Sequence, residues 1–502
     1  MRQEVLRMEQ VTYVEKGITR LENFSMQIYE GEIMGFMPAS GHGLSAFLKL
    51  LLVNHPLHDG FIYYREELVN SWRESRKDNN RISIVYDKSC LVEGMTVAEN
   101  IFVLRQGFRQ RIIRRSLLRK QLEPFLEEIG MDISPDSYVE KLSYFERVVV
   151  EILRAVILGH RLIVLNEIGT RISETESKKL YLILRKYASQ GIAFLYITLH
   201  FEEALQICDR MVLVSYGRVQ KVIQKQEMVL DILLEYPEEF NDLVRGHMEK
   251  QKEGKIDTRK DIVLELKNIT CEALQNISIK IGRGECLVVQ SLDSIVYQSL
   301  TGLATGELLP ERGDILLEGR EISMGNNRDV AVIREQPNES MIFQGMSYID
   351  NLCIGLFRRL SNSWQDDKVC KSIQLEYGPI LGQEVFYSQV EDLTEQQKYA
   401  LVYTRILLQK PKVVFCIQPF KGADISHRMF IWKMLEMLLE KGIAVVILAI
   451  NLADSMSCAD RLLRIDSKGL MIEMSRKEFP MLIGTVPWVH LYQKKEKMEN
   501  NT

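Results

Sequence analysis

Short apolar runs alternate along the chain with longer amphipathic segments, and this alternation predicts an α/β fold. The apolar runs are rich in β-branched residues and end at polar or Gly-containing turns, as the buried strands of a parallel sheet do. A representative amphipathic segment extends from Ser173, a residue suited to begin a helix, to Gly191, a residue suited to end one. Strands that alternate with helices indicate a mainly parallel sheet in the core. The predicted strands, in chain order, are EIMGFM, RLIVLN, IAFLYIT, ECLVVQ, KVVFCI and IAVVILAI.

The same order of landmarks occurs twice, at offsets of 251 to 253 residues. An internal repeat of this kind indicates two homologous domains, which we place at residues 1–247 and 262–493. The charged, apolar-poor segment 248–261 is predicted to connect them, and the polar residues 494–502 are predicted to form a tail. The paired landmarks are Gly31 with Gly284, Gly60 with Gly313, Leu142-Ser143 with Leu393-Thr394, Arg161 with Lys412, and Asp209 with Asp460.

The composition is that of an ordinary globular protein, and it argues against several classes of function. Of the 502 residues, 46% are hydrophobic and 26% are charged, and the formal net charge of −4 argues against nucleic acid as a partner. The eight cysteines form no C-x-x-C pair, so we expect reduced thiols rather than a zinc site or a disulfide framework. Because the chain has no apolar run of about 18 residues and no apolar signal core at its start, we expect a cytoplasmic protein.

Several motifs follow one another in the order found in ATP-binding cassettes. A strand with a Gly-rich turn is followed by MTVAENIFV, by VEKLS at the start of a helix, by a strand with polar residues at its end, and by CDRMVLVSYGRV. The chain resembles the ATPases of ribose/galactose-type sugar importers, which carry two cassettes in one chain. The resemblance implies two tandem P-loop NTPase-like domains, each with a helical subdomain, that bind ATP and magnesium. It also implies a membrane permease as partner.

The first phosphate loop departs from the family pattern G-x-x-x-x-G-K-[ST], in which backbone N–H groups and the Lys bind phosphates. Pro38 stands at the first Gly and Leu44 at the Lys, while Gly41, Gly43 and Ser45 remain. Proline removes a hydrogen-bond donor and leucine removes a positive charge. Two interpretations stay open: these remaining residues form a weak anion site, or they only form the turn from a strand to a helix.

The second phosphate loop departs further. The segment GECLVVQSLDSIVYQSLTG has no glycine between its ends and is four residues shorter than the family pattern, with Asp293 in place of the basic residue. Because a carboxylate repels phosphate, we expect no nucleotide site there.

The acids that the resemblance assigns to magnesium binding and water activation are mostly replaced. Where the family has Asp-Glu at a strand end, the chain has Asn166-Glu167 in the first domain and Ile417-Gln418 in the second. Glu167 is either a vestigial catalytic base or a polar residue at the end of a strand. We favour the second interpretation, because no metal ligand stands beside it.

The signature L-S-G-G-Q and the switch glutamine are altered in both domains. The first signature is LSYFE, in which Ser143 is the vestigial phosphate contact and Phe145 stands at the second Gly; the second signature is LTEQQ. A Phe and a Glu there are expected to bring bulk and negative charge against the phosphate. The switch glutamine, a magnesium ligand by resemblance, is Asp87 in the first domain and, nearest in sequence, Gln336 in the second.

These departures predict a pseudo-ATPase, because no pairing of a phosphate loop with a signature yields a complete site. We predict a homologue of ABC-importer ATP-binding subunits that is a non-hydrolysing partner or regulator of a membrane permease. It would be peripheral at the inner face of the cell membrane and need no cofactor. One alternative is a weak or partner-dependent ATPase that energises sugar import, and another is a soluble regulatory module that reuses the fold. Whether the chain forms a homodimer stays open.

Two segments that face the permease in the family keep the family pattern best. They are residues 90–106, CLVEGMTVAENIFVLRQ, and residues 343–355, FQGMSYIDNLCIG, and each retains an asparagine, Asn100 or Asn351. The apolar positions of the first segment either contact the permease or pack a helix onto the core. These positions are Met95, Val97, Ile101 and Phe102.

Overall fold

The computed structural model divides the chain into two compact units, Met1–Tyr236 and Pro237–Thr502. The predicted tail 494–502 and the predicted connection 248–261, except for Asp261, lie outside the described residues. The structure describes residues 3–38, 41–76, 80–103, 114–199, 201–227, 261–354, 356, 366–423, 425–450, 452, 455–456, 458–466 and 468–481.

The first domain is built on two sheets. Its strands are β1 (Glu4–Glu15), β2 (Ile18–Tyr29), β3 (Ile33–Pro38), β4 (Asp59–Tyr64), β5 (Glu67–Ser71), β6 (Ile82–Tyr86), β7 (Leu162–Asn166), β8 (Ala193–Ile197), β9 (Arg210–Ser215) and β10 (Arg218–Gln224). The order in the six-stranded sheet is β10-β9-β3-β8-β7-β6, and all neighbours are parallel except β10 and β9. The four-stranded sheet, β2-β1-β4-β5, is antiparallel throughout.

Several helices of the first domain begin at a residue whose side chain caps them. The helices of this domain are α1 (Leu44–Leu52), α2 (Val97–Phe102), α3 (Arg115–Ile129), α4 (Tyr144–Ile157), α5 (Glu174–Ser189) and α6 (Phe201–Ile207). Thr96, Ser143 and Ser173 each form a capping box with the Glu three residues later. The helix predicted between Ser173 and Gly191 is therefore confirmed, with Ser173 as its N-cap.

The second domain repeats this topology. Its strands are β11 (Ile262–Cys271), β12 (Leu274–Gly282), β13 (Cys286–Ser291), β14 (Arg312–Leu317), β15 (Arg320–Glu321), β16 (Val330–Ile333), β17 (Val413–Ile417), β18 (Ala444–Ala449), β19 (Arg461–Ile465) and β20 (Met471–Ser475). The sheet orders are β12-β11-β14-β15 and β16-β17-β18-β13-β19-β20, with the same parallel and antiparallel neighbours as in the first domain. The helices are α7 (Ser294–Thr305), α8 (Pro337–Ser340), α9 (Tyr348–Cys353), α10 (Asp366–Leu381), α11 (Glu395–Gln409) and α12 (Ile425–Glu440).

The central strands of each six-stranded sheet are buried on both faces, which explains their continuous apolar sequences. Every residue of β3, β8, β13, β17 and β18 is buried. The α/β class with a mainly parallel sheet and the predicted strands are confirmed. The antiparallel sheets were not predicted. In the described part of the chain, no helix is long and apolar enough to cross a membrane.

Candidate functional site

The carboxyl ends of the parallel strands meet at one edge of each six-stranded sheet, where ligands bind in open α/β folds. We call this edge the phosphate edge. In the first domain it comprises the connection from β3 to α1, Asp87 after β6, and Asn166 and Glu167 at the end of β7. In the second domain it comprises the connection from β13 to α7, the residues after β16, and Ile417 and Gln418 at the end of β17.

The connection from β3 to α1 has a position whose backbone requires glycine, but it lacks the lysine of the phosphate-loop pattern. β3 ends at Pro38 and α1 begins at Leu44. Gly43 precedes the helix with a φ of 87°, and a Cβ there would lie 2.5 Å from the carbonyl oxygen of Arg20, so the position requires glycine. Ser45 is exposed on the first turn, whereas Leu44 packs against the core. The structure thus brings Gly43 and Ser45 together at a helix N-terminus without a basic side chain.

The neighbouring polar groups of this connection are engaged elsewhere. The Nζ atom of Lys49 donates to Oε1 of Glu15 at 2.7 Å. The Nε2 atom of His42 lies 2.9 Å from the carbonyl oxygen of Thr19. Gly41 is exposed, and a Cβ there would meet nothing within 4 Å, so its position does not require glycine. None of these residues replaces the missing lysine of the phosphate loop.

The second connection is closed by its own carboxylate. Two residues separate Ser291, the last residue of β13, from Ser294, the first residue of α7. Asp293 is the N-cap, and its Oδ1 accepts hydrogen bonds from the backbone N–H groups of Ile295 at 2.8 Å and Val296 at 3.2 Å. These are the donors that a helix N-terminus offers to an anion. The carboxylate of Asp293 therefore occupies the place of a phosphate.

At the phosphate edge of the first domain, an arginine of the chain neutralises the acid at the switch position. Asp87 follows Tyr86, whose partner in the neighbouring strand is Asn166. The Nε atom of Arg171 lies 3.2 Å from Oδ1 of Asp87, and its guanidinium lies over the ring of Tyr144 at 5.6 Å. The buried Oδ1 of Asn166 has no hydrogen-bond partner among the described residues. A side-chain cation thus stands beside the carboxylate that would otherwise attract a metal ion.

The second domain has an equivalent ion pair, and it corrects the prediction for Gln336. Ile333 pairs with Cys416 in the neighbouring strand, so the register places Glu335, not Gln336, at the position equivalent to Asp87. Glu335 Oε2 lies 2.9 Å from Nζ of Lys421, whose side chain is only 3% exposed. The hydroxyl of Tyr297 donates to the other carboxylate oxygen at 3.1 Å. The prediction erred by one residue because no sequence feature shows where β16 ends.

The backbone of Glu167 is left-handed, as it is at the equivalent residue of the second domain. It has a φ of 52°, and its N–H donates to the carbonyl oxygen of Ile197 at 2.9 Å. Gln418, the equivalent residue, has a φ of 42°, and its N–H donates to the carbonyl oxygen of Leu448 at 3.0 Å. Left-handed backbone at non-glycine residues is unusual and often marks a functional position. Both domains thus retain the turn of this position, although only one retains the carboxylate.

The signature residues cap a helix in both domains. Ser143 Oγ accepts from the N–H of Glu146 at 3.2 Å, and the Glu146 carboxylate accepts from the N–H of Ser143 at 2.8 Å. Thr394 and Gln397 form the same capping box at the start of α11. The prediction that Phe145 adds bulk against a phosphate is wrong, because its side chain is buried in the core. The negative charge of Glu146 does lie at the helix N-terminus.

Away from the phosphate edge, one loop in each domain is held by an asparagine. We call residues 92–100 and 343–351 the clamped loops. In the first, Asn100 Oδ1 accepts from the N–H of Val92 at 2.8 Å, and Nδ2 donates to the Val92 carbonyl oxygen at 3.1 Å. In the second, Asn351 makes the same two bonds to Phe343, both at 2.9 Å. Val92 is 44% exposed and Phe343 is 47% exposed.

The second clamped loop also rests on a buried arginine. The guanidinium of Arg405 donates to the carbonyl oxygens of Asn351, at 3.4 Å, and Met341, at 2.5 Å. It lies 5.4 Å from the ring centroid of Phe343. Burial lowers the pKa of Arg405 to about 10.

The apolar positions of residues 90–106 had two interpretations, contact with the permease or packing of a helix onto the core. Val97, Ile101 and Phe102 are buried in the core, and Met95 is half-buried. Residues 104–106 of the first segment and Gly355 of the second lie outside the described residues. The exposed apolar surface of the first clamped loop is therefore at Val92, with Met95 beside it in the chain.

The sequence is similar to those of known transporter proteins. Residues 21–169 match the family described as ABC transporter. The chain is 24% identical to the ribose import ATP-binding protein RbsA of Clostridium perfringens, over 95% of this chain and 96% of that protein. It is also 24% identical to the xylose import ATP-binding protein XylG of Geobacillus kaustophilus, over 95% of this chain and 97% of that protein. The solved structure of cbiO1 from Clostridium perfringens, part of the ABC transporter complex cbiONQ, covers 47% of this chain and 97% of its own, with 17% identity and a TM-score of 0.39.

A further relative is the putative ribose/galactose/methyl galactoside import ATP-binding protein 1 of Agrobacterium fabrum, which is 23% identical over 92% of each chain. These relatives span both domains. Residues 21–169 therefore form a domain of the ABC transporter family, and the chain is a homologue over both of its domains of proteins named as ribose, xylose and galactose import ATP-binding proteins.

Proposed function

We propose that the chain is a pseudo-ATPase that acts as a non-hydrolysing partner or regulator of a membrane permease, at the cytoplasmic face of the membrane. One contrast carries the proposal. At both phosphate edges a cation of the chain pairs with the acid at the switch position, and in the second domain Asp293 also caps the helix, whereas the two clamped loops are built with the same hydrogen bonds in both domains. Nucleic acid is not a proposed partner, in keeping with the net charge of −4.

Magnesium and ATP do not fit the residues of the phosphate edges. A magnesium ion needs oxygen ligands with negative charge nearby. In the first domain the carboxylate of Asp87 is paired with Arg171, and Asn166 offers only a neutral amide. In the second domain the carboxylate of Glu335 is paired with Lys421. A metal ion would have to displace these cations and then compete with their charge.

The helix N-termini that would bind phosphate oppose it as well. Asp293 uses the first N–H groups of α7, and Glu146 places its carboxylate at the start of α4. A phosphate would lose these hydrogen bonds and meet negative charge at both positions. Among α1, α4 and α7, it is α1 whose N-terminus has neither a side-chain cap nor an acidic residue in its first turn.

The clamped loops support a retained interaction with a permease. Each loop presents an exposed apolar residue, Val92 or Phe343, while its backbone is held by a buried asparagine. Isolated exposed apolar residues are common, but here the same scaffold presents one in each domain. A cytoplasmic helix of a permease with small apolar side chains is the partner we propose for this surface.

A weak or partner-dependent ATPase that energises sugar import is the second candidate. It is favoured by the open N-terminus of α1 and by the carboxylate of Glu167, which keeps its strand-end turn. Both features belong to the first domain. This candidate needs a partner to supply the missing ligands, and the names of the relatives suggest sugar as its cargo.

Phosphate release from ATP by the purified chain separates the two candidates. We expect no release above the background of the matched Glu167→Gln variant, with or without magnesium. We also expect calorimetry to detect no ATP binding to the parent chain at micromolar concentrations. Phosphate release that scales with protein concentration and disappears in Glu167→Gln would contradict the proposal and support the weak ATPase.

Membrane association tests the partner. We expect the chain to co-purify with a permease from membranes, equally with and without added ATP. Val92→Asp and Phe343→Asp should release it, whereas Ser45→Ala and Glu167→Gln should not. Recovery of the parent chain entirely in the soluble fraction, with no membrane protein captured by cross-linking, would contradict docking and leave a soluble regulatory module. Sedimentation of the same preparations would determine whether the chain is a homodimer.

A further inference from the structure

Two thiols of the second domain lie in contact across two helices. Cys353 is the last residue of α9, and Cys370 lies in α10. Their Sγ atoms are 3.8 Å apart, which is van der Waals contact between sulfur atoms. Cys353 is fully buried, whereas Cys370 is half-buried and so partly accessible to solvent. A reactive pair of this kind needs one accessible thiol and a second thiol within reach of it.

The remaining cysteines lack this combination. Cys286, Cys416 and Cys458 are fully buried in the core of the second domain. The hydrogen bond to Cys458 and burial raise the pKa of Cys286, and burial raises the pKa of Cys416, so these thiols stay protonated. Cys90 is exposed, and its thiol donates a hydrogen bond to the carbonyl oxygen of Lys88, at 3.9 Å, rather than to another cysteine.

We infer that Cys353 and Cys370 are a reversible modification site, at which a disulfide oxidant closes a bond between α9 and α10. The thiolate of Cys370 attacks a sulfur of a small disulfide such as glutathione disulfide, forms a mixed disulfide, and releases one glutathione thiolate. The sulfur of Cys353 then attacks Sγ of Cys370 after losing its proton, and the second glutathione leaves as a thiol. The chain loses two protons and two electrons, and the oxidant is reduced to two glutathione molecules.

The proposed bond would affect the second clamped loop because of where it lies. Helix α9 contains Asn351, the residue that holds the second clamped loop, two positions before Cys353. A covalent bond to α10 would restrict the motion of α9 and of the loop that it supports. The site does not depend on the proposed permease partner, because its chemistry needs only the two thiols and the oxidant.

The test uses the full chain carrying Cys90→Ser, which removes the solitary exposed thiol. After treatment with glutathione disulfide and full denaturation, we expect two fewer alkylated thiols and no retained glutathione. Peptide mapping should show a bond between Cys353 and Cys370, the melting temperature should rise by several degrees, and dithiothreitol should reverse both changes. Cys353→Ser should instead retain one glutathione on Cys370, and Cys370→Ser should retain none.

Two results would overturn the inference. In one, all thiols of the oxidised chain remain open to alkylation after denaturation. In the other, the Cys90→Ser chain keeps glutathione on Cys370, as Cys353→Ser is expected to do, which would show that Cys353 does not resolve the mixed disulfide. The peptide mapping uses the chain that carries Cys90→Ser and keeps both Cys353 and Cys370. The test therefore holds even if Cys353→Ser or Cys370→Ser fails to fold.

Discussion

Each domain has a phosphate edge and a clamped loop. The two domains differ from each other at the phosphate edges but are built alike at the clamped loops. At the phosphate edges, one connection leaves the N-terminus of its helix open, while the other is shortened and capped by Asp293. At the clamped loops, Asn100 and Asn351 make the same pair of bonds to the residue eight positions earlier. The two domains therefore agree more closely at their clamped loops than at their phosphate edges.

The two domains can also be compared at the switch position of the phosphate edge. Both domains have an acid at the switch position and a cation of the chain beside it, but the cations come from different positions of the repeat. Arg171 is exposed for 44% of its side chain, whereas Lys421 is exposed for only 3%. The cation of the pair is therefore solvated in one domain and buried in the other, while both carboxylates are 28% exposed. We expect the loss of stability on breaking the pair to differ between the domains.

The largest expected effect is that of Glu335→Gln in the buried pair. Removing this carboxylate takes away the ion-pair partner at 2.9 Å from Lys421, whose side chain is 3% exposed. We expect the second domain to lose about 3 kcal/mol in the free energy of unfolding by denaturant. Asp87→Asn is the matched control, and its exposed partner should limit the loss to below about 1 kcal/mol. Equal losses in both variants would contradict the difference between the domains.

The next effect is expected from breaking a clamp. Asn351 is fully buried, and its side chain bonds to both backbone groups of Phe343 and to the carbonyl oxygen of Ser347. Asn351→Ala should cost about 2 kcal/mol in the free energy of unfolding, because alanine cannot replace the hydrogen bonds of this buried amide.

Asn100→Ala in the first domain is the matched variant for this clamp. Its side chain makes the corresponding bonds to Val92 and Thr96, so we expect a loss of similar size, again about 2 kcal/mol. A loss in only one of the two variants, measured by denaturant unfolding, would show that the clamps are not equivalent.

A smaller effect is expected at the capped connection. Asp293→Ala removes the side chain that accepts from Ile295 and Val296, and should cost about 1 kcal/mol in unfolding free energy. It should not create phosphate or ATP binding, because two residues between strand and helix are too few to form a phosphate loop. Ser45→Ala in the open connection should change stability by less than about 0.5 kcal/mol. Calorimetric binding of ATP to Asp293→Ala would show that the cap alone blocks the site.

The smallest effect is a change in pH dependence. Glu151, in the signature helix α4, is buried, and burial raises its pKa above the ordinary value of 4.5 even though Ser89 and Cys90 donate to it. The folded chain therefore holds this proton where the unfolded chain has released it, so stability falls as pH rises from 4.5 through the raised pKa. Glu151→Gln should flatten that fall in denaturant unfolding, whereas Glu123→Gln, at an exposed position, should leave it unchanged.

Much of the fold could be predicted from local patterns. The β-branched runs of the parallel sheets are continuous because both faces are buried, and the capping box at Ser173 marks the start of α5. The antiparallel sheets were missed because β1 and β2 mix buried, half-buried and exposed residues with register shifts. At the phosphate edge, the motifs identified Leu44 and Asn166 as departures from the family pattern. They could not identify the cations that pair with the acids at the switch position.

The sequence by itself determined the two repeated domains, the order of their strands and helices, and which motif positions had changed their chemistry, because these depend on residue type and spacing. Only the tertiary structure decided that Glu335 rather than Gln336 occupies the switch position, since strand register sets that alignment. It also decided that Arg171 and Lys421 neutralise the acids, and that Phe145 is buried. Charge pairing and burial depend on which segments meet in space, and residues 86 positions apart, such as Glu335 and Lys421, carry no local signal of their contact.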